Sequence, residues 1–255
     1  MKQLHMIEVE IDVPALYRFL HMQGMAHRDD DTELGYGVHA WLGAALGDLA
    51  PQPWRLLMER HRPARILGYA SHDASSLVQR LVEFGEPSVL RVCPEPHLMI
   101  ASRPMPAWRE GRRLGFQTLV CPVGRKAGTG IEKDIFLIHA DAQDDGVELS
   151  RETIYCEWAK ERFNRYSVTV DSIRLTGFRL VRQERQTQPV NGKRKFARIV
   201  RPQALLEGEL TINNSADFTE LLRHGIGRHR AFGYGMILLR PPSWAEVRYF
   251  QADSV

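Results

Sequence analysis

The chain has 255 residues, of which 44% are hydrophobic and 25% are charged, and its formal net charge at pH 7 is +3. This length allows one large domain or two of about 100–150 residues, which can bury a core without metals or disulfides. The three cysteines, Cys93, Cys121 and Cys156, are far apart and match no metal-binding spacing. We therefore expect reduced thiols in a cytoplasmic protein.

The N-terminus contains no apolar stretch of signal-peptide length, and nowhere do about 18 apolar residues run together. We therefore expect no membrane association. Only six of the 34 basic residues are lysines, so arginine dominates the basic side chains. Arginine suits phosphate binding because its guanidinium is a planar fork of donors, although a genome rich in G and C would produce the same bias.

The first hundred residues alternate between strand-like and helix-like patterns. The predicted elements are a strand at 4–13, a short helix or turn at 14–20, a loop at 27–33, a helix at 34–49, strands at 54–61 and 65–70, a helix at 75–84, and strands at 89–93 and 98–101. This order suits a ferredoxin-like split βαβ unit.

Prolines at positions 94, 96, 104 and 106 mark a crossover into a second half. There we predict a strand at 116–123, a glycine-containing basic loop at 124–130, a strand at 135–140, an acidic turn at 141–146, a helix at 151–163, strands at 167–181 (with a break near Leu175), 198–200 and 205–212, a helix from its N-cap Ser215 to Leu222, and a last strand at 236–239. The predicted fold class is α+β, with two tandem ferredoxin-like (RRM-like) domains and inserted strands. The predicted boundaries are 1–108, 109–242 and a tail at 243–255.

A glycine-rich loop follows the last predicted helix. Its distinctive residues are the glycines Gly225, Gly227, Gly233 and Gly235 and, between the two pairs, Arg228, His229 and Arg230. Glycine allows positive φ and lets a ligand approach the main chain closely. Such a loop can present backbone N–H groups and arginines together to phosphates.

A second basic region lies at residues 179–201, where the single acid is Glu184. Its basic residues are Arg179, Arg182, Arg185, Lys193, Arg194, Lys195, Arg198 and Arg201. A block of this kind attracts polyanions such as RNA. The alternative interpretation is a solvated hairpin without a binding role.

The glycine loop, with a short helix before it and a strand ending in Arg-Pro after it, resembles the C-terminal loop of the CRISPR repeat-RNA endoribonucleases, most closely their CasE-type branch. The upstream segment Leu206-Glu-Gly-Glu-Leu-Thr-Ile212 is similar to the strand that this family places before its last helix. The segment Tyr36-Gly-Val-His39 resembles the Tyr-x-x-His element that carries the family's catalytic histidine. The similarity spans both halves and is most specific in the glycine loop.

The resemblance implies two RNA-recognition-like domains that bind a CRISPR repeat stem-loop and cut precursor CRISPR RNA without a metal or other cofactor. A ribose 2′-hydroxyl attacks the adjacent phosphate, leaving a 2′,3′-cyclic phosphate and a 5′-hydroxyl, and the product guide RNA stays bound. It also implies other subunits of a CRISPR effector complex as partners. The chain contains no His-x-x-x-His or Cys-x-x-Cys motif, which is consistent with metal independence.

The resemblance assigns residues to this chemistry. His39 is the candidate catalytic residue for proton transfer, because the pKa of imidazole lies near neutrality. Tyr36, one helical turn earlier, would orient the 2′-hydroxyl or the phosphate. Arg228, Arg230 and the loop amides would stabilise the charged phosphorane, with Arg28 as a further candidate.

Other interpretations stay open. His39 and Tyr36 could have structural roles, since Val38 and Leu42 beside them belong to an apolar set, and His229 is an alternative proton carrier. The chain could be a non-cutting RNA-binding subunit that caps a guide RNA. It could also be a type IV CRISPR relative that relies on arginines. A small-molecule enzyme of ferredoxin-like fold is disfavoured, because no paired carboxylates or nucleophile motif stand out.

Overall fold

The computed structural model describes residues 2–25, 34–125, 132–142, 148–186 and 196–242. The described residues fall into two compact units that interleave along the sequence. The first unit is drawn from Met1–Met105, Leu180–Arg201 and Arg230–Gly233. The second unit is drawn from Pro106–Arg179, Pro202–His229 and Tyr234–Val255.

The first unit is built on a four-stranded antiparallel sheet of order β2-β3-β1-β4. Its elements are β1 (His5–Ile11), α1 (Val13–Met22), α2 (Gly35–Leu46), a 3-10 turn (Gly47–Leu49), β2 (Trp54–Leu57), β3 (Ala64–Ala70), α3 (Ala74–Phe84), α4 (Pro87–Leu90), α5 (Pro96–Met99) and β4 (Ile100–Pro104). The order of strands and helices is that of a ferredoxin-like βαββαβ unit.

Periodicity in the sequence explains these elements. In β1 the alternate residues Ile7, Val9 and Ile11 are buried in the core, as expected for a strand with one covered face. In α3 the carboxylate of Asp73 accepts a hydrogen bond from the N–H of Ser76 at 3.0 Å and caps the helix. The core between sheet and helices therefore follows directly from the apolar pattern.

The second unit repeats the same strand order in the sheet β10-β5-β9-β8. Its elements are β5 (Arg113–Val120), β6 (Val123–Arg125), β7 (Glu132–Asp134), α6 (Ile135–Asp141), α7 (Arg151–Phe163), a 3-10 turn (Asn164–Tyr166), β8 (Val168–Gln186), β9 (Phe196–Ile212), α8 (Ser215–His224) and β10 (Ile237–Arg240). Residues 180–186 of β8 and 196–201 of β9 are counted with the first unit. The small β6–β7 sheet and α6 are inserted between the first strand and the first main helix of the unit.

The predicted α+β class with two ferredoxin-like repeats and inserted strands is therefore confirmed. The predicted boundaries at 1–108 and 109–242 stay a prediction, and the predicted tail at 243–255 lies outside the described residues. Within the described part of the chain, no helix combines the length and the apolar character needed to cross a bilayer.

Two predicted strands are wrong. The segment 135–140 is the helix α6, because Asp134 accepts a hydrogen bond from the N–H of Phe136 at 2.9 Å and starts a helical turn. The segment 89–93 overlaps the short helix α4, which begins with Pro87 at a position where proline is pre-organised for a helix. The predicted strand at 98–101 is divided between the end of α5 and the start of β4.

Two smaller predictions in the second unit also change. β8 runs from Val168 to Gln186 without the break expected near Leu175, and β9 joins the strands predicted at 198–200 and 205–212. The N-cap of α8 is Asn214 rather than Ser215, since the Asn214 side chain accepts from the N–H of Asp217 at 3.0 Å.

Candidate functional site

The N-terminal turn of α2 carries the two residues of the predicted catalytic pair. Tyr36 and His39 are three positions apart in this helix, so their side chains lie on one face. Both contact Phe232 of the glycine-rich loop, a residue of the same unit. The ring centroids of Tyr36 and Phe232 lie 6.1 Å apart in a stacked arrangement, and those of His39 and Phe232 lie 5.1 Å apart edge to face.

The backbone of residues 230–233 lies directly against the same helix and strand β2. A Cβ atom built on Gly35 would lie 2.5 Å from the carbonyl oxygen of Phe232, so only glycine fits there. The indole Nε1 of Trp54 donates a hydrogen bond to the carbonyl of Ala231 at 3.1 Å. Gly233 has φ +89°, and a Cβ atom built on it would lie 2.9 Å from the Trp54 ring. These contacts fix this part of the loop beside Tyr36 and His39.

The His39 side chain is exposed to solvent at one side and packed at the other. Desolvation by the surrounding residues lowers the pKa of His39. Burial has this effect because it disfavours the charged imidazolium. At neutral pH the ring is therefore mainly neutral and can accept a proton.

The earlier part of the loop belongs to the second unit and is strongly turned. Gly225, Gly227 and His229 alternate in the left-handed region, with φ values of +63°, +77° and +62°. The N–H of Gly225 donates to Leu221 at 2.7 Å and closes the end of α8. The N–H of Gly235, where φ is +77°, donates to Leu119 at 2.7 Å. These two amides therefore hold the loop in place.

Arg228 and His229 share one carboxylate, that of Glu132 in β7. The Nε of Arg228 donates to one oxygen of Glu132 at 2.6 Å, and the Nε2 of His229 lies 2.9 Å from the other oxygen. The Arg228 side chain remains 42% exposed, whereas that of Glu132 is 13% exposed. The arrangement presents one partly exposed guanidinium held by a largely buried anion. Arg230, which follows, is half-buried at the start of a 3-10 turn (Arg230–Phe232).

Trp158 of α7 packs closely against the loop at Gly227. A Cβ atom on Gly227 would lie 2.8 Å from the far edge of the Trp158 ring. The guanidinium of Arg162 stacks on that ring at 3.9 Å and donates to the Trp158 carbonyl at 2.6 Å. Burial lowers the pKa of Arg162 to about 10.

The described residues of the basic block predicted at 179–201 belong to the neighbouring strands β8 and β9. Arg179 donates to the side chain of Gln203, and Arg182 is exposed. Arg201 is buried. The remaining predicted RNA-binding side chains lie outside the described part of the structure: Arg28, Arg185, Lys193, Arg194, Lys195 and Arg198.

The sequence analysis did not assign Phe232, Trp54 or Glu132 to the site. Phe232 lies within the predicted glycine loop and could have been noted as the single large apolar residue between its two glycine pairs. Trp54 and Glu132 are far from the loop in sequence and carry no local signal. Among the described residues, no three His, Cys, Asp or Glu side chains are grouped so as to hold a metal ion.

A family model described as CRISPR associated protein matches residues 4–241. No curated protein is significantly similar to the chain. Similar folds occur in several solved structures. One is the CRISPR endoribonuclease Cse3 bound to 19-nucleotide RNA, which is 17% identical with a TM-score of 0.61, over 94% of this chain and 100% of that chain.

Two further structures extend this likeness in fold. Thermus thermophilus Cse3 bound to an RNA representing a pre-cleavage complex is 19% identical with a TM-score of 0.54, over 94% of this chain and 100% of that chain. A chain of a CRISPR RNA-guided surveillance complex is 15% identical with a TM-score of 0.54, over 93% of this chain and 100% of that chain. At these identities the likeness establishes the shared fold.

Proposed function

The chain belongs to the CRISPR-associated protein family, and on that premise we propose that it is an endoribonuclease that binds a CRISPR repeat stem-loop and cuts precursor CRISPR RNA. The observation that carries the proposal is the contact of Tyr36 and His39 with Phe232 of the glycine loop. It joins a group suited to proton transfer to a loop that carries arginines. The fold shared with RNA-bound Cse3 supports the same function.

In the proposed reaction a ribose 2′-hydroxyl attacks the adjacent phosphorus. The bond to the 5′-oxygen of the next nucleotide breaks, which leaves a 2′,3′-cyclic phosphate and a 5′-hydroxyl. His39 takes the proton of the attacking hydroxyl, a role that suits a solvent-accessible imidazole with a lowered pKa. The leaving 5′-oxygen takes a proton from water and becomes the 5′-hydroxyl. The hydroxyl of Tyr36, on the same helical face, orients the 2′-hydroxyl or the phosphate.

We assign proton transfer to His39 rather than to His229. The side chain of His229 is only 17% exposed, and its Nε2 already faces a carboxylate oxygen of Glu132. Arg228 and Arg230 supply positive charge to the phosphorane, whose extra negative charge needs donors arranged in advance. Because the nucleophile is part of the RNA itself, this reaction requires no metal-bound water, and we propose that it proceeds without a metal.

The basic block at 179–201 is proposed to hold the stem of the RNA. A-form RNA exposes phosphates and 2′-hydroxyls rather than readable base edges, so arginines there supply position and affinity. Replacing Arg194, Lys195 and Arg198 together by alanine is expected to weaken binding and flatten its salt dependence. An unchanged salt slope would remove this block from the interface.

We further propose that the chain keeps the product guide RNA and joins other subunits of a CRISPR effector complex. Support comes from the likeness in fold to a chain of a surveillance complex. Retention of the product predicts a single turnover per protein molecule when RNA is in excess.

The function is tested by incubating the native chain in EDTA with the stem-loop of the CRISPR repeat from its own genome. We expect one defined cut and a 2′,3′-cyclic phosphate, detected by its conversion to a linear phosphate in acid. His39→Ala should abolish cutting and preserve binding. Binding without any cut by the native chain would favour a non-cutting subunit, and cutting only after addition of a divalent metal would overturn the metal-free mechanism.

A further inference from the structure

The carboxylate of Glu132 lies between the two basic side chains of the glycine loop, although 96 residues separate it from Arg228. Each of its oxygens faces a different partner: Nε of Arg228 at 2.6 Å and Nε2 of His229 at 2.9 Å. A carboxylate that is 13% exposed and bridges two basic groups is a stronger contact than a surface ion pair, because solvent screens it less.

We propose that Glu132 is a positioning residue that fixes the loop at His229 and orients Arg228 to receive an RNA phosphate. This inference rests on the proposed function and names a residue that acts through the loop rather than on the RNA. Glu132, Arg228 and His229 all belong to the second unit.

The geometry of Arg228 leaves its phosphate-binding edge available. Glu132 is bonded to Nε, at the inner edge of the guanidinium. Within the described part of the chain, no residue hydrogen-bonds the two terminal nitrogens, and the side chain is 42% exposed. The terminal nitrogens form the fork that binds phosphate oxygens in pairs. A mobile arginine loses rotamer freedom when it binds, and Glu132 removes that freedom beforehand.

The backbone of His229 supports the same assignment. Its φ of +62° lies in the left-handed region, which is uncommon for a residue with a side chain. Such a conformation persists where surrounding contacts determine it. The contact between Nε2 of His229 and Glu132 is one contact that does so.

Glu132 is itself held on a firm base. Two residues further along β7, the buried carboxylate of Asp134 accepts hydrogen bonds from Tyr155 at 2.8 Å and from Arg151 at 2.8 Å. Both partners lie on α7, so the inserted β6–β7 sheet is fastened to a main helix of the unit. The inserted sheet thereby fixes the position of Glu132, whose side chain contacts the loop.

A positioning role for Glu132 and simple charge repulsion predict opposite changes in RNA affinity when the negative charge of Glu132 is removed. Removing a negative charge near an RNA site normally strengthens binding, because less charge repels the phosphates. Removing a positioning carboxylate should weaken binding, because Arg228 loses its orientation. Glu157 provides the matched control, since it is an exposed acid on α7 of the same unit.

The experiment measures affinity of the full chain for the repeat stem-loop, with a 2′-deoxyribose at the nucleotide that precedes the cut made by the native chain, which prevents cutting. We expect Glu132→Gln to bind about tenfold more weakly than the native chain, and Glu157→Gln to bind equally or slightly more tightly. In a chain with Arg228→Ala and His229→Ala, the added Glu132→Gln should change affinity no more than Glu157→Gln does. Thermal unfolding of each variant checks that the fold is kept.

Two results would overturn the inference while the proposed function stands. If the native chain cuts the repeat and Glu132→Gln binds as Glu157→Gln does, Glu132 has no positioning role. If Glu132→Gln binds more tightly than Glu157→Gln, the carboxylate competes with phosphate instead of presenting Arg228. If the native chain neither binds nor cuts the repeat, the proposed function fails and the inference fails with it.

Discussion

The imidazole of His39 meets the ring of Phe232 edge to face, with 5.1 Å between the ring centroids. The contact covers one side of a side chain that is otherwise exposed, and desolvation by burial lowers the pKa of His39. We expect Phe232 to contribute to this desolvation, because its ring packs against the imidazole. The consequence for the proposed reaction is a larger fraction of neutral imidazole at neutral pH.

The lowered pKa of His39 should therefore set the midpoint of the pH–rate profile for cutting. A lowered pKa means that the neutral base is present above that pKa and is lost as the pH falls through it. We expect the single-turnover rate to rise with pH, with a midpoint below the ordinary histidine value of ~6.5. The measurement is the cutting rate across the acid-to-neutral range.

Phe232→Ala tests the origin of that shift. Without the phenyl ring more water reaches His39, so the midpoint should move up toward ~6.5. Phe232→Leu, which keeps an apolar side chain, should move it less. A rate that falls with rising pH would contradict a general base, and an unmoved midpoint in Phe232→Ala would separate the pKa of His39 from this contact.

Gly35→Ala should loosen the loop from α2. The new Cβ would lie 2.5 Å from the carbonyl oxygen of Phe232, a backbone atom that can only move if the loop moves. We expect a lower melting temperature and slower cutting. Gly43→Ala on the same helix is the matched control, since its Cβ would meet nothing within 4 Å.

In Gly43→Ala the better helix propensity of alanine should leave cutting unchanged and raise stability by up to about 1 kcal/mol. Thermal unfolding and single-turnover cutting of the two variants decide the matter. Equal behaviour of the two variants would show that the approach of Gly35 to Phe232 does not constrain the loop.

Trp54→Phe removes one hydrogen bond that holds the loop. The buried Trp54 donates to the Ala231 carbonyl at 3.1 Å, so phenylalanine leaves that carbonyl without its donor and should cost about 1 kcal/mol of stability. Trp41→Phe is a close control, because Trp41 is also buried and donates to the Val89 carbonyl at 3.1 Å.

Both tryptophan variants should lose similar stability, but only Trp54→Phe should slow cutting. The comparison of unfolding free energies with cutting rates separates a general loss of packing from a displacement of residues 230–233. If Trp41→Phe slows cutting as much as Trp54→Phe, the indole contact with Ala231 has no particular role in the site.

The sequence predicted the ferredoxin-like repeats because their long elements carry clear periodicity. The alternation in β1 extends over 7 residues, and α7 is a helix of 13 residues. The strand prediction for residues 135–140 was wrong because this segment is a short continuous apolar run, for which periodicity cannot separate strand from helix. Its helix is decided by the cap at Asp134, a single hydrogen bond that composition does not reveal.

The candidate site was predictable only where the sequence is locally unusual. The glycine spacing identified the loop, and the Tyr-x-x-His resemblance identified α2. The pairing of Glu132 with Arg228 and His229 joins residues almost a hundred positions apart, and no local pattern encodes such a contact. The same holds for Trp54 beneath Ala231, which lies 177 positions away.

Gly227→Ala tests whether the loop needs its close approach to Trp158. Alanine at φ +77° is strained by about 1–2 kcal/mol whatever the space around it, and here the Cβ would also lie 2.8 Å from the Trp158 ring. That ring is buried and stacked against Arg162, so it has little room to move. We expect a clear loss of stability and weaker binding of the repeat stem-loop.

Gly111→Ala separates the two destabilising effects in Gly227→Ala, which are the backbone strain at positive φ and the overlap of the new Cβ with the Trp158 ring. Gly111 has a nearly equal φ of +75°, but a Cβ there would meet nothing within 4 Å, so the variant carries the backbone strain alone. Both variants should unfold at lower temperature, Gly227→Ala the more so, since overpacking of a filled site adds about 1–3 kcal/mol. Only Gly227→Ala should weaken RNA binding, because only its loop carries Arg228. Equal losses in the two variants, with affinity unchanged in both, would mean that the Trp158 ring yields and that the position of the loop does not govern its contact with RNA.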